Sequence, residues 1–188
     1  MGEVFVGLVH YPVLNKNGEV VATSVTNLDI HDIARASRTY GVSRFFIINP
    51  MQTQKRLVER ILEYWCEGGG RSYNSLRGEA LKNVEVVDDL VSAVGEIVKI
   101  TGVEPIIVGT WAGHDGESLT LCDLRGKLER DDSPYLILFG TGWGMTDPVK
   151  EMCKYVVEPI RGVDEYYHLS VRSAAAIILD RIRGRKEV

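Results

Sequence analysis

Residues 135–145 read Tyr-Leu-Ile-Leu-Phe-Gly-Thr-Gly-Trp-Gly-Met, an apolar run that leads into glycines at alternate positions. An uninterrupted apolar run is typical of a strand buried on both faces, as in a parallel sheet covered by helices. Glycines directly after such a strand let backbone amides approach a ligand closely, because no side chain stands in the way. We predict a strand over residues 135–139 and a ligand-binding loop over residues 140–144, with a plain strand–helix turn as the alternative.

Similar runs alternate with segments of helical period along the rest of the chain. Strands are predicted over residues 4–9, 44–49, 84–87, 105–109 and 156–160, and helices over residues 29–40, 53–65, 90–98, 118–128, 146–154 and 170–183. Strands separated by helices indicate an α/β fold, here a mostly parallel sheet flanked by helices. The length of 188 residues fits a single domain over residues 1–188.

Two segments depart from this alternation. Residues 11–25 are expected to form a hairpin-like excursion, because Asn17-Gly18 is a pair that tolerates the positive φ of a tight turn. Residues 68–78 begin with three consecutive glycines, which do not favour a continuing helix, and they are expected to form a mobile loop.

The composition argues against several classes of protein. With 22 Lys+Arg against 26 Asp+Glu, the net charge of −4 argues against a uniformly basic nucleic-acid binder but leaves room for a local basic face. No apolar run approaches the roughly 18 residues of a membrane span, and the N-terminus lacks the features of a signal peptide. Three widely spaced cysteines fit a reducing compartment. We expect a soluble cytoplasmic protein with no membrane partner.

Several familiar sites are absent from the sequence. It contains neither the nucleophile motif Gly-x-Ser-x-Gly nor the phosphate loop Gly-x-x-x-x-Gly-Lys-Ser/Thr. The four histidines lie far apart, with no His-x-x-x-His pair that would bind a metal ion. Residues 114–117, His-Asp-Gly-Glu, favour a polar turn over a cation loop, because hard cations need more convergent oxygens. We therefore predict no metal site.

Two further segments carry candidate functional residues. Residues 156–162 end a predicted strand in a Pro/Gly turn, and residues 168–176, His-Leu-Ser-Val-Arg-Ser-Ala-Ala-Ala, begin a helix with small residues that allow close contact with a backbone or a ligand. In the helix over residues 29–40, Arg35 and Arg38 share one face, which is either solvated or a phosphate contact. Asp29 is expected to cap this helix.

Taken in order, these segments resemble the three motifs of the SPOUT (α/β-knot) RNA methyltransferases. Residues 29–42 are similar to the first motif, with Arg35 at the motif arginine, residues 136–145 to the second, and residues 157–176 to the third. The sequence departs from the family pattern at four positions, namely Asp29, His31, Gly142 and Ser170. Gly142 stands where many members that methylate ribose have Glu, so a base nitrogen and a ribose 2′-hydroxyl both stay open as acceptors.

The resemblance implies a trefoil knot in the C-terminal half, a homodimer, and S-adenosylmethionine as the cofactor for methyl transfer to a nucleotide of tRNA or rRNA. It implies that the cofactor is bound by Thr110, Trp111, Gly140, Gly142, Trp143, Ile160, Gly162, His168, Leu169 and Ser170. It further implies that Arg35 contacts the target nucleotide and that Asp29 is a possible base in an enzyme with a nitrogen acceptor, which makes these two the candidate catalytic residues. RNA contacts are expected from Arg35, Arg38 and Arg71.

Two alternatives remain at this point. One is a catalytically silent module of the same fold that binds the cofactor or RNA. The other is an unrelated α/β enzyme that acts on a nucleotide or small metabolite, in which residues 140–144 would be a phosphate loop.

Overall fold

The parallel sheet predicted from the apolar runs is present in the computed structural model, which describes residues 2–111, 117–164, 166 and 168–185. The strands are β1 Val4–Val9, β2 Val13–Leu14, β3 Val20–Val21, β4 Arg44–Ile48, β5 Val84–Val87, β6 Ile106–Thr110, β7 Tyr135–Gly140 and β8 Tyr155–Val157. The helices are α1 Asn27–Thr39, α2 Gln52–Cys66, α3 Gly69–Tyr73, α4 Ser75–Leu81, α5 Leu90–Thr101, α6 Leu121–Arg130, α7 Asp147–Glu151 and α8 Val171–Arg183.

Six of these strands form one sheet in the order β5-β4-β1-β7-β6-β8, and every neighbouring pair in it is parallel. The chain builds β4 and β5 outward on one side of β1 and places β6, β7 and β8 on the other side. The order therefore reverses between β1 and β7. In open α/β sheets, ligands bind outside the carboxyl ends of the strands at such a reversal.

Helices cover both faces of the sheet, so its central strands are buried throughout. In β1, Val4, Val6 and Leu8 belong to one apolar cluster, whereas Phe5 and Val9 belong to the other. The first cluster packs against α1, α6 and α8, and the second packs against α5 and α7. This arrangement confirms the predicted α/β class and explains why these strands lack the polar alternation of a half-exposed sheet.

The hairpin-like excursion over residues 11–25 is confirmed. β2 and β3 pair antiparallel, and Gly18 in the turn has a φ of 78°.

The mobile loop predicted over residues 68–78 is wrong, because α3 and α4 occupy most of it. The glycines of this segment allow close packing on the end of α2. A Cβ atom at Gly70 would lie 2.7 Å from Trp65 Cε3, and one at Gly78 would lie 2.5 Å from the Trp65 carbonyl oxygen. Asn74 begins α4 by accepting a 3.0 Å hydrogen bond from the Arg77 amide.

Two boundary predictions are also corrected. Thr26, not Asp29, caps α1, since its hydroxyl accepts a hydrogen bond from the Asp29 amide at 3.1 Å. The last strand ends at Val157 rather than residue 160, because Pro159 has no N–H with which to continue a ladder.

Among the described residues, no helix combines the length and apolar character needed to cross a bilayer. The polar turn predicted over residues 114–117 lies, apart from Glu117, outside the described residues.

Candidate active site

A cavity of about 460 Å³ opens at the carboxyl ends of β1, β6, β7 and β8, at the point where the strand order reverses. Its walls are the loop over residues 140–144, called here the glycine loop, the turn over residues 158–160, called here the proline turn, and the first turns of α1 and α8. This volume lies within the range of roughly 300–1,000 Å³ that is usual for small-molecule sites.

The structure brings six of the ten predicted cofactor residues to this cavity, namely Thr110, Trp111, Gly140, Gly142, Ile160 and Leu169. Four others do not line it: Trp143, Gly162, His168 and Ser170. Trp143 is 73% exposed, Ser170 caps α8, and the His168 ring lies edge-on to Tyr166. Cofactor binding by the six residues that do line the cavity stays a prediction.

The hairpin holds the glycine loop in place. The Trp143 amide donates to the Leu14 carbonyl at 2.9 Å, and the Leu14 amide donates to the Gly144 carbonyl at 2.8 Å. Gly142 has a φ of 61°, and a Cβ atom there would lie 2.9 Å from the Leu14 oxygen. The loop therefore requires glycine at this position, both for the backbone angle and for the close approach of the hairpin.

Asp29 lies at the same cavity, on the first turn of α1, and is 8% exposed. The Thr26 hydroxyl donates to Asp29 Oδ2 at 2.6 Å. Arg172 Nε lies 3.9 Å from Asp29 Oδ1 and 3.8 Å from Asp32 Oδ2, so the two carboxylates share one guanidinium group. The N-terminal position on the helix adds a favourable dipole interaction for a carboxylate.

His10, which the sequence analysis did not select, also lines the cavity and is 1% exposed. The Thr141 hydroxyl donates to the Val9 carbonyl at 2.9 Å, so the 2.6 Å bond between Thr23 and Thr141 takes its proton from Thr23. Thr23 Oγ1 must then accept from His10 Nδ1–H, at 2.9 Å. This chain of bonds leaves the lone pair on His10 Nε2, which has no hydrogen-bond partner among the described residues.

Burial lowers the pKa of His10 from 6.5 to about 4, so its ring is neutral at physiological pH and Nε2 is an acceptor. Asp29 opposes this shift through its charge, but the effect of burial is larger. The sequence offered one signal that could have found His10: it is the first residue after β1, at the carboxyl edge of a buried strand.

The predicted RNA-binding arginines lie away from this cavity in the same chain. Arg35 is exposed further along α1, and Arg71 is exposed on α3. Arg38 Nη2 lies 4.0 Å from Glu79 Oε1, at the edge of ion-pair distance. Asp29 therefore lies at the same cavity as the six predicted cofactor residues, whereas Arg35 does not line it.

The sequence of the chain matches known proteins over almost its whole length. A family model for SAM-dependent RNA methyltransferases matches residues 3–184. A protein of Nitratidesulfovibrio vulgaris named tRNA (guanine-N(1)-)-methyltransferase is 45% identical over 96% of this chain, but the match spans only 42% of that relative's length. An uncharacterised protein of Aquifex aeolicus is 37% identical over 97% of this chain and 89% of its own length.

Solved structures share the fold at low identity. A probable methylase family protein from Haemophilus influenzae superposes with a TM-score of 0.64 at 18% identity, covering 97% of this chain and 65% of that one. The TrmH/SpoU tRNA modifying enzyme of Aquifex aeolicus gives a TM-score of 0.56 at 17% identity, covering 96% of this chain and 73% of that one. The family model agrees with this shared fold, so the resemblance inferred from the three motifs is confirmed, and the chain belongs to the family of S-adenosylmethionine-dependent RNA methyltransferases.

Proposed function

We propose that this chain transfers a methyl group from S-adenosylmethionine to a nucleotide of RNA, with a base nitrogen or a ribose 2′-hydroxyl as the acceptor. One observation carries the proposal: a single cavity joins the glycine loop and the proline turn to two proton-accepting groups, the Asp29 carboxylate and His10 Nε2. tRNA is the favoured substrate because of the name of the longer relative from Nitratidesulfovibrio vulgaris, and rRNA is the alternative.

The residues present suit this cofactor. Ile160 and Leu169 offer apolar surface for a purine ring. Gly140, the last residue of β7, and Gly142 present backbone to the cavity without a side chain. A Cβ atom at Gly140 would lie 3.0 Å from Met145 Cγ, so a side chain here would crowd the loop. The bound cofactor supplies a methyl group on a positively charged sulfur, already activated for attack by oxygen or nitrogen.

The protein must then position the acceptor nucleotide and accept its proton. Asp29 is the proposed base, because Thr26 and Arg172 hold its carboxylate in place while it still lines the cavity. His10 is proposed to accept a hydrogen bond from the acceptor group through Nε2. Its donor bond to Thr23 fixes the ring in the tautomer that this requires.

A homodimer with a trefoil knot in the C-terminal half is part of the same proposal. Arg35 does not line the cavity of its own chain, so the contact with the target nucleotide that the resemblance implies for it would have to be made at the cavity of a second copy. Light scattering tests this point against the 21.0 kDa mass of one chain. A chain trace from an experimental structure tests the knot.

The activity is tested with bulk unmodified tRNA and rRNA, and cofactor binding is tested separately by calorimetry. We expect wild-type protein to bind S-adenosylmethionine and to label tRNA with its methyl group. Asp29→Asn should keep cofactor binding and lose most of the labelling. Asp32→Asn is the matched control, because Asp32 contacts the same Arg172 without lining the cavity. Absence of cofactor binding, or equal labelling by the two variants, would contradict the proposal.

A further inference from the structure

A second depression in the surface lies between α2 and the N-terminus of α1. It is lined by Asn27 from α1 and, from α2, by Arg56, Leu57, Arg60, Tyr64 and Trp65 among others. We infer that this groove binds a segment of the substrate RNA that lies outside the cavity, while the target nucleotide enters the cavity. The inference deepens the proposed function and rests on it for the identity of the ligand.

The groove presents two cations that the protein does not neutralise. Arg56 and Arg60 lie one helical turn apart, and both are exposed. In the part of the chain that the structure describes, neither forms an ion pair, although Glu59 and Glu63 lie on the same helix. Lys55, by contrast, contacts Asp88 at 2.7 Å. Free guanidinium groups on one helix face match the geometry of RNA phosphates.

An aromatic pair continues the same helix face. Tyr64 lies one turn beyond Arg60 and is 53% exposed. Its ring stands edge-on to Trp65, with a centroid distance of 5.3 Å. Trp65 is itself held between the His31 ring at 5.4 Å and the Arg77 guanidinium at 4.7 Å. Tyr64 therefore offers an exposed ring on a fixed support, which suits stacking of an unpaired base.

The groove and the cavity lie on different sides of the first turn of α1. Asn27 lines the groove, and Asp29, two positions later on the first turn of α1, lines the cavity. The preceding segment is fastened to α2, because the Val25 amide donates to Gln54 Oε1 at 2.7 Å. A strand of RNA with its target nucleotide at Asp29 can therefore pass around the first turn of α1 and place another of its nucleotides against Tyr64, with phosphates near Arg56 and Arg60.

The charge of the groove argues against a second copy of this chain as its occupant. A twofold interface brings the same patch of both subunits together. Where the twofold axis passes through the groove, Arg56 and Arg60 lie against the same two arginines of the other copy, and juxtaposed like charges are unfavourable. A polyanion gains from the same charges, so RNA is the occupant that we favour.

Fluorescence anisotropy with labelled bulk unmodified tRNA tests the groove. Replacing Arg56 and Arg60 together by Gln should weaken binding about tenfold or more and lower the salt dependence by roughly two phosphate contacts. Tyr64→Ala should weaken binding about tenfold without changing the salt dependence. Arg130→Gln is the matched control, because Arg130 is exposed at the end of α6, near the amino end of β7, whereas the cavity lies at the carboxyl ends of the strands.

Three results would overturn the inference: wild-type protein that does not bind the tRNA, groove variants that bind it as tightly as Arg130→Gln does, or groove variants whose main change is a different oligomeric mass. The last result would assign the groove to contacts between chains. Calorimetry with S-adenosylmethionine on the same variants should give wild-type affinity. If wild-type protein binds tRNA but not the cofactor, the proposed methyl transfer fails and the groove stands.

Discussion

Replacing Gly142 by alanine should destabilise the protein, because the hairpin lies close to the position that the new Cβ atom would take. Gly142→Ala would place a Cβ atom at a φ of 61° and 2.9 Å from the Leu14 carbonyl oxygen. A non-glycine residue in this left-handed region costs about 1–2 kcal/mol. The Leu14 oxygen also accepts the Trp143 amide, and weakening that hydrogen bond costs about 1 kcal/mol more. We expect the free energy of unfolding to fall by about 2–3 kcal/mol.

Gly102→Ala separates the two contributions. Gly102 ends α5 with a φ of 76°, and a Cβ atom there would meet nothing within 4 Å. In this variant only the backbone angle is unfavourable, so the free energy of unfolding should fall by about 1–2 kcal/mol. The difference of about 1 kcal/mol corresponds to a melting temperature about 2–4 °C lower for Gly142→Ala.

Calorimetry then tells whether the glycine loop binds the cofactor. The affinity of Gly142→Ala for S-adenosylmethionine should fall at least tenfold, because the glycine loop must move away from the hairpin to make room for the alanine side chain. Gly102→Ala should bind as the wild type does. Equal melting temperatures and equal affinities for the two variants would refute the reasoning.

Two other expectations concern groups around the cavity. Burial lowers the pKa of His10 from 6.5 to about 4, so the unfolded chain binds a proton at a higher pH than the folded protein does. The free energy of unfolding should therefore decrease by about 3 kcal/mol as the pH falls from 6.5 to 4. Urea unfolding of His10→Asn should lack this contribution; parallel pH profiles would contradict it. Ser170→Ala removes the hydroxyl that accepts a hydrogen bond from the Ser173 amide at 3.3 Å. Thermal unfolding should show a loss of about 1 kcal/mol in the free energy of unfolding, and unchanged stability would contradict a capping role for Ser170.

The strands of the main sheet were predictable because each is dominated by apolar residues, although β4 begins with Arg44 and β5 contains Glu85. β1 and β5 occupy the predicted residues, and β4 and β7 differ by one residue at the end. The segment over residues 68–78 was not predictable from its glycines, since these glycines do not loosen the chain. They allow α3 and α4 to pack closely on Trp65, a packing contact between helices that local propensity does not contain.

The candidate site was predictable only where motifs mark it. The glycine loop and the proline turn were found in this way, and the structure brings both to one cavity. His10 and Thr23 carry no motif, and their hydrogen bond depends on the hairpin folding back over the end of β1. Trp143 was selected because it lies among the glycines, but its side chain is exposed to solvent and does not line the cavity.

Because the Leu14 amide donates a hydrogen bond to the Gly144 carbonyl, a hairpin residue reports on the movement of the glycine loop. Leu14 lies outside the cavity lining, yet its amide proton is protected only while the glycine loop stays closed against the hairpin. Deuterium uptake at this one amide therefore measures how often the loop opens. A ligand seated on the loop should slow that uptake, so mass spectrometry of a hairpin peptide can follow occupancy without a labelled substrate.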